Sequence, residues 1–155
     1  MYGLKKERDK VNYLEEIVNN RALMLPIFSW FLAQLIKFIT HLVQYHKIDF
    51  KKFVSSGGMP SSHTAISVCL STVVGIEHGF GSGLFAISSV MAFIVMADAT
   101  GVRRAAGKQA EVLNKLVYHS RDVQLDKELK VLLGHTPVQV ISGAALGILI
   151  GILFA

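Results

Sequence analysis

Residues 64–97 read TAISVCLSTVVGIEHGFGSGLFAISSVMAFIVMA, and Glu77 is the one charged residue among them. A helix needs roughly 20 mostly apolar residues to cross the hydrocarbon layer of a bilayer, so this block is too long for a single crossing. Gly79, Gly81 and Gly83 interrupt it near its middle, where residues lacking a side chain permit a tight turn. The block therefore reads as a hairpin of two membrane helices, about Thr64 to Ile76 and Leu84 to Ala97.

The same alternation of apolar and charged blocks extends outward in both directions. The 16 basic and 11 acidic residues are unevenly spread, with nine in 1–21, one in 22–45, four in 46–63, one in 64–97, twelve in 98–134 and none in 135–155. A first span of about Leu23 to Tyr45 and a last one beginning after Pro137 complete the pattern. Val11, Leu14, Ile17 and Val18 fall at helical spacing among charges, as in a helix lying on a membrane surface. The expected fold is all-α, an integral membrane helical bundle of about four membrane-embedded helices with an N-terminal amphipathic helix. Residues 1–20 form that amphipathic segment and 21–155 a single membrane-embedded domain.

A hydrophobic content of 52% and a mean hydropathy of +0.46 argue against a soluble domain. The net charge of +5 and pI near 9.4 come from basic residues that flank apolar segments, which fits anionic lipid head groups and not nucleic acid. Cys69 is the one cysteine, so no disulfide or thiolate metal site is expected. Residues 1–21 mix acidic and basic groups before the first apolar run, unlike a cleavable signal peptide.

Polar motifs punctuate the ends of the spans. Gly57-Gly58-Met59-Pro60-Ser61-Ser62-His63 is a turn running into a helix start, and a helix N-terminus with two hydroxyls and an imidazole suits an anion such as phosphate. The serines also serve simply as caps. Asp98 precedes Arg103 and Arg104, whose planar guanidinium forks match phosphate oxygens. His135 lies at the mouth of the last span, where a neutral imidazole can attack phosphorus. Gln34, Lys37 and His41 share a face of the first span by their spacing of three and four. Gly143, Gly147 and Gly151 form a row that permits close helix contact in lipid; it also offers a face for a homo-oligomer.

Counting spans puts His63, Asp98 and His135 at one membrane face. Loops 46–60 and 99–134 there hold ten Lys and Arg against five in residues 1–21, so the positive-inside tendency places that face in the cytoplasm.

Three stretches together give the chain a family likeness: Gly57 to His63, Asp98-Ala-Thr-Gly-Val-Arg-Arg-Ala-Ala-Gly-Lys-Gln-Ala-Glu-Val-Leu-Asn114, and Leu133-Gly-His-Thr-Pro-Val-Gln-Val140. Through them the sequence resembles the divergent branch of the type 2 phosphatidic-acid phosphatase superfamily, relatives of acid phosphatases and vanadium haloperoxidases. The resemblance runs from about residue 20 to the end, and the long central motif is its most specific part. It implies that His135 is the nucleophile forming a phosphohistidine and that His63 protonates the leaving group. Three departures stand out: Ser62 replaces a glycine, Leu129 stands where an arginine precedes the nucleophile, and Gln139 takes the place of the aspartate that orients it. Arg103 or Arg104, Lys37 and Asp98 are the candidates to supply the missing arginine, the lysine and the carboxylate.

The resulting expectation is a phosphatase of a bacterial cell membrane that removes the terminal phosphate of a lipid phosphate. Phosphatidylglycerophosphate is the favoured substrate, because the branch looks like phosphatases of phosphatidylglycerol synthesis. An isoprenyl (undecaprenyl) diphosphate is the alternative, and a non-catalytic protein that binds or transports phosphorylated lipids is the rival from another class. His135, His63 and Asp98 are the expected catalytic residues; Ser61, Ser62, Arg103, Arg104 and Lys37 are expected to hold the phosphate. No metal or other cofactor is required by this scheme, although Asp98 would admit Mg²⁺ beside a phosphate.

Overall fold

The computed structural model describes residues 12–45, 58–119, 129 and 134–155, with the side chains at 45, 103, 104 and 117–119 excepted. The rest of the expected N-terminal helix, the basic connection 46–57, Gly57 included, and residues 120–128 and 130–133 lie outside the described residues. The described chain is all-helical: α1 (residues 12–19), α2 (Arg21–Tyr45), α3 (Ser62–His78), α4 (Gly83–Thr100), α5 (Val102–His119) and α6 (Pro137–Phe154).

Local chemistry starts and stops these helices. The Thr64 N–H donates to Ser61 Oγ at 3.4 Å to cap α3, and the Phe85 N–H donates to Ser82 Oγ at 3.2 Å to cap α4. Thr136 caps α6 through the Gln139 N–H at 3.4 Å, with Pro137 in the first turn, where its missing N–H costs nothing. Gly79 ends α3 at φ 85°, a left-handed conformation that L side chains adopt rarely. The hairpin turn expected at 79–83 is therefore present, closed by Phe80 stacking edge-on against Phe85 with ring centroids 5.1 Å apart.

Central α3 packs against α2, α4 and α6. Helix α6 runs alongside it in the same direction, and its glycines make the contact. A Cβ on Gly143 would strike the Ser61 carbonyl; one on Gly147 would lie 2.6 Å from the Ala65 carbonyl oxygen and 2.8 Å from the Cys69 nitrogen; one on Gly151 would lie 2.7 Å from Thr72 Cγ2. Helix α2 runs the opposite way, with Ser29 Oγ donating to the Ala65 carbonyl at 3.3 Å and Ala22 and Leu25 packing on the buried cluster of Cys69, Val73 and Ile150. Helix α4 is also antiparallel to α3, tied by a 2.8 Å hydrogen bond between Ser71 and Ser89 hydroxyls.

Small residues fill the interior, among them Ala33, Ala65, Cys69 and Ala92, while large ones such as Ile87, Phe93, Ile141 and Ile152 face outward. Lipid is as apolar as leucine, so helices in a bilayer associate by close backbone approach and not by hiding large side chains. This distribution, with the apolar helices, identifies an integral membrane protein.

Among the described residues, three stretches are long and apolar enough by themselves to cross a membrane: Arg21–Gln44, Gly83–Leu116, which joins α4 to α5, and Pro137–Phe154. Helix α3 has 17 residues and carries His63, Thr64, Ser67, Ser71 and Thr72 along its length, and it packs among α2, α4 and α6. The glycine row makes the close helix contact expected of it, against α3 of the same chain.

Because Gly147 lies against backbone atoms that cannot swing aside, Gly147→Leu should destabilise the bundle by about 1–3 kcal/mol or more through overpacking. A clearly lower unfolding midpoint in detergent is expected, whereas Gly81→Ala, where a Cβ would meet nothing within 4 Å, should leave the midpoint unchanged. Equal midpoints for both variants would refute the α3–α6 contact.

Candidate functional site

The packing of α6 on α3 brings two helix starts together. The Ser61 N–H donates to the Gln139 carbonyl at 2.9 Å, which joins the turn before α3 to the first turn of α6. The His135 N–H donates to the Ala99 carbonyl at 2.8 Å, which joins the residues before α6 to the end of α4. His63 and His135 consequently face each other with ring centroids 6.3 Å apart and planes tilted by 54°. Asp98, half-buried, sits one residue before Ala99 in the last turn of α4.

The third element is α2. Lys37 is 5% exposed, and its Nζ donates to Gln34 Oε1 at 3.0 Å and to Ser62 Oγ at 3.2 Å. Gln34 is buried as well, and so are Ser61 and Ser62. Among the described residues no carboxylate forms a salt bridge with Lys37; the one such ion pair joins Lys115 to Glu111 on the surface of α5. Removing an ammonium from water is costly unless an opposite charge compensates it, yet its protein partners here are an amide and a hydroxyl. The ammonium adjoins the N-terminus of α3, whose dipole also favours an anion. Two sources of positive potential thus meet beside a pair of imidazoles.

His135 is 3% exposed, and its Nδ1 lies 3.2 Å from Gln139 Oε1. The same oxygen accepts the Thr136 N–H at 3.0 Å, completing a reciprocal cap at the start of α6. One amide oxygen therefore serves both the helix end and the imidazole.

Of the residues singled out in the sequence, Lys37, Ser61, Ser62, His63 and His135 come together, and Asp98 reaches the same end of the bundle through its neighbour's carbonyl. Arg103 and Arg104 lie on the first turn of α5, directly after α4; their side chains lie outside the described residues. Gln34 was expected only to share a helix face with Lys37, and Gln139 only as the residue standing in place of an orienting aspartate. The capping signature Thr136-Pro137-Val138-Gln139 was a signal for Gln139, since a glutamine at that position folds back on the helix start and hence toward His135. Among the described residues no group of three His, Cys, Asp or Glu side chains gathers as metal ligands. A recess at the opposite end, lined by Glu15, Glu16, Glu77 and His78 among others, carries the wrong charge for phosphate.

The sequence pattern of the family described as Divergent PAP2 family matches residues 18–150. The chain is 41% identical over 153 residues to the uncharacterized membrane protein YuiD of Bacillus subtilis (strain 168), covering 90% of this chain and 97% of that protein. No solved structure gives a significant match.

Among the described residues no anion lies beside the buried Lys37 cation, and such a charge is a burden to the empty fold. Lys37→Met keeps the length of the stem and removes the charge, so the variant should unfold at an equal or higher temperature in the absence of any anion. A fall corresponding to about 3 kcal/mol or more, the cost of breaking a compensated buried pair, would mark Lys37 as a structural residue with a partner of its own.

Proposed function

This chain belongs to the Divergent PAP2 family, and from that premise we propose that it is a membrane phosphatase acting on the terminal phosphate of a lipid phosphate. The observation that carries the reading is the buried Lys37 ammonium, held by neutral partners at the α3 N-terminus beside the facing imidazoles of His63 and His135. A phosphate monoester is the guest that these charges fit: two negative charges for the cradle, and a phosphorus atom for the nucleophile. Phosphatidylglycerophosphate is the favoured substrate, by likeness to phosphatases of phosphatidylglycerol synthesis, and an isoprenyl diphosphate is the alternative.

In the proposed reaction, His135 attacks phosphorus to form an N–P bond while the bond from phosphorus to the lipid oxygen breaks. His63 gives its proton to that departing oxygen, releasing the lipid alcohol, and then takes a proton from the water that attacks the phosphohistidine. The N–P bond breaks, inorganic phosphate leaves, and both imidazoles return to their starting states. Lys37, the serines at the α3 start and the arginines of α5 hold the phosphoryl oxygens, and stabilisation of the charge growing on them lowers the barrier. Asp98, at the end of α4, is the proposed carboxylate of the site and the side chain that would approach any Mg²⁺ accompanying the phosphate. The ten basic residues in loops 46–60 and 99–134 support a cytoplasmic site face.

Purified protein should release phosphate from at least one member of a lipid-phosphate panel that includes both substrate classes, assayed with and without Mg²⁺. His135→Ala should abolish turnover and acid-labile phosphoenzyme. Loss of the general acid in His63→Ala should slow release by roughly 10²- to 10⁴-fold for a poor leaving group and by much less for a nitrophenyl phosphate. Lys37→Met should weaken vanadate binding by about ten- to a hundredfold, the worth of a charge-assisted hydrogen bond. Tight lipid-phosphate binding by the wild type with no release from any substrate would instead establish a binding or transport protein, and substantial turnover by His135→Ala would remove that residue as nucleophile.

A further inference from the structure

The side-chain oxygen of Gln139 occupies the position from which a nucleophilic imidazole is normally steered, and it is itself held in place. Oε1 accepts the Thr136 N–H at 3.0 Å, the Gln139 N–H donates to Thr136 Oγ1 at 3.4 Å, and the Gln139 carbonyl accepts the Ser61 N–H at 2.9 Å. The residue is thus anchored at three points before its contact with His135 is counted. An oxygen already receiving one N–H presents lone pairs only, so the imidazole nitrogen 3.2 Å away must bring a proton to it. Were Nδ1 unprotonated, two lone pairs would face each other in a buried site.

We infer that Gln139 is the positioning residue for His135: by accepting the Nδ1–H it selects the neutral tautomer whose lone pair lies on Nε2, and so directs Nε2 at phosphorus. This rests on the phosphotransfer reading above and assigns within it the atom that attacks. The inference also separates the orienting role from any carboxylate. An amide fixes the ring but adds no charge, so an imidazolium, or an imidazole phosphorylated on Nε2, gains no counter-ion at Nδ1. Among the described side chains, the charged or titratable groups at this end of the bundle are His63 from α3, whose ring lies 6.3 Å from that of His135, Lys37 from α2, bonded to Ser62, and Asp98, one residue before the Ala99 carbonyl that accepts the His135 N–H. The positive charge of Lys37 favours the neutral ring, and a carboxylate opposes it. With a neutral residue at Nδ1 the ring stays in its attacking form to lower pH than a carboxylate there would allow. The phosphorylated ring is also less stabilised, which favours its rapid hydrolysis.

The route from sequence to this role runs through the helix cap. Thr136-Pro137-Val138-Gln139 closes on itself because the first N–H groups of α6 lack partners within the helix, and His135 stands one residue before the cap. Forming the cap therefore delivers the amide oxygen to the imidazole. The Ser61 contact adds that the turn opening the phosphate cradle is bonded to the same residue, so the nucleophile and the cradle share one anchor.

Two variants and two readouts test the assignment. Gln139→Glu keeps the cap, since glutamate serves that position equally well, and adds only charge. The acid limb of its kcat/KM profile should move upward by about one to three pH units, with more phosphoenzyme trapped at steady state. Gln139→Leu removes the oxygen; kcat should fall by roughly ten- to a hundredfold, as when a supporting hydrogen bond is lost, with KM little changed. The readout independent of turnover is ¹⁵N NMR of histidine-labelled protein in nanodiscs without substrate. Wild type and Gln139→Glu should show His135 protonated on Nδ1 and bare on Nε2 above the ring's pKa, and Gln139→Leu should lose that preference. Absence of phosphate release from every lipid phosphate, with the expected tautomer observed, would overturn the phosphatase reading and leave the tautomer assignment standing. Protonation on Nε2 in the wild type, or an unchanged tautomer and kcat in Gln139→Leu, would overturn the role of Gln139.

Discussion

The contact between the glycine row of α6 and the backbone of α3 is what the remaining structure depends on. Gly143 lies on the Ser61 carbonyl and Gly147 between the Ala65 carbonyl and the Cys69 nitrogen, so the two helix axes approach closely and their relative register is set. In a bilayer there is little gain from burying a leucine, and close backbone contact carries the association. Register is the feature with functional weight. It aligns the start of α6 with the start of α3, and the Ser61–Gln139 backbone bond and the His63–His135 approach both follow from it. A shift of one turn, about 5.4 Å along either helix, would separate the histidines.

Around that contact the protein assembles polar groups which the bilayer would otherwise reject. Of the serine and threonine hydroxyls on α3, Ser67 and Thr72 turn back to the His63 and Val68 carbonyls of their own helix, Thr64 donates to Ser61 Oγ, and Ser71 bridges to α4. Lys37 is different. Its side chain is buried, its hydrogen-bond partners are an amide and a hydroxyl, and the cost of holding a charge there is what the proposed anion would offset. Helix α5 continues from the end of α4 with Val102, Val112, Leu113 and Leu116 exposed and the Glu111–Lys115 pair on another side, an arrangement suited to the head-group region in which a phosphorylated lipid presents its phosphate.

At Gln139 a helix cap and the proposed catalytic site share one structure. The amide oxygen accepts the N–H of Thr136, the residue that caps α6, and meets His135 with the same atom. A glutamine at that position is a departure from the related pattern, in which an aspartate orients the histidine, and the geometry explains how the orienting contact survives without the charge. The consequence lies in acid–base behaviour and not in placement of the ring.

The sequence by itself determined the features that are local. Charge blocks separated by apolar runs specify an all-helical membrane protein, glycines at 79–83 specify the hairpin turn, and Ser61, Ser82 and Thr136 begin helices because each offers an oxygen to an N–H three residues on. The gathering of His63, Asp98 and His135 at one end followed from counting helices. Only the tertiary structure decided which surface the glycine row would cover, that Lys37 would meet Ser62 and not water, and that Gln139 would hold the His135 Nδ1. Those outcomes depend on the rotation and register of helices far apart in the chain. Nothing in the hydropathy pattern encodes them, since they come from the fit of one backbone against another at van der Waals distance, as Gly147 against Ala65 and Cys69 demonstrates.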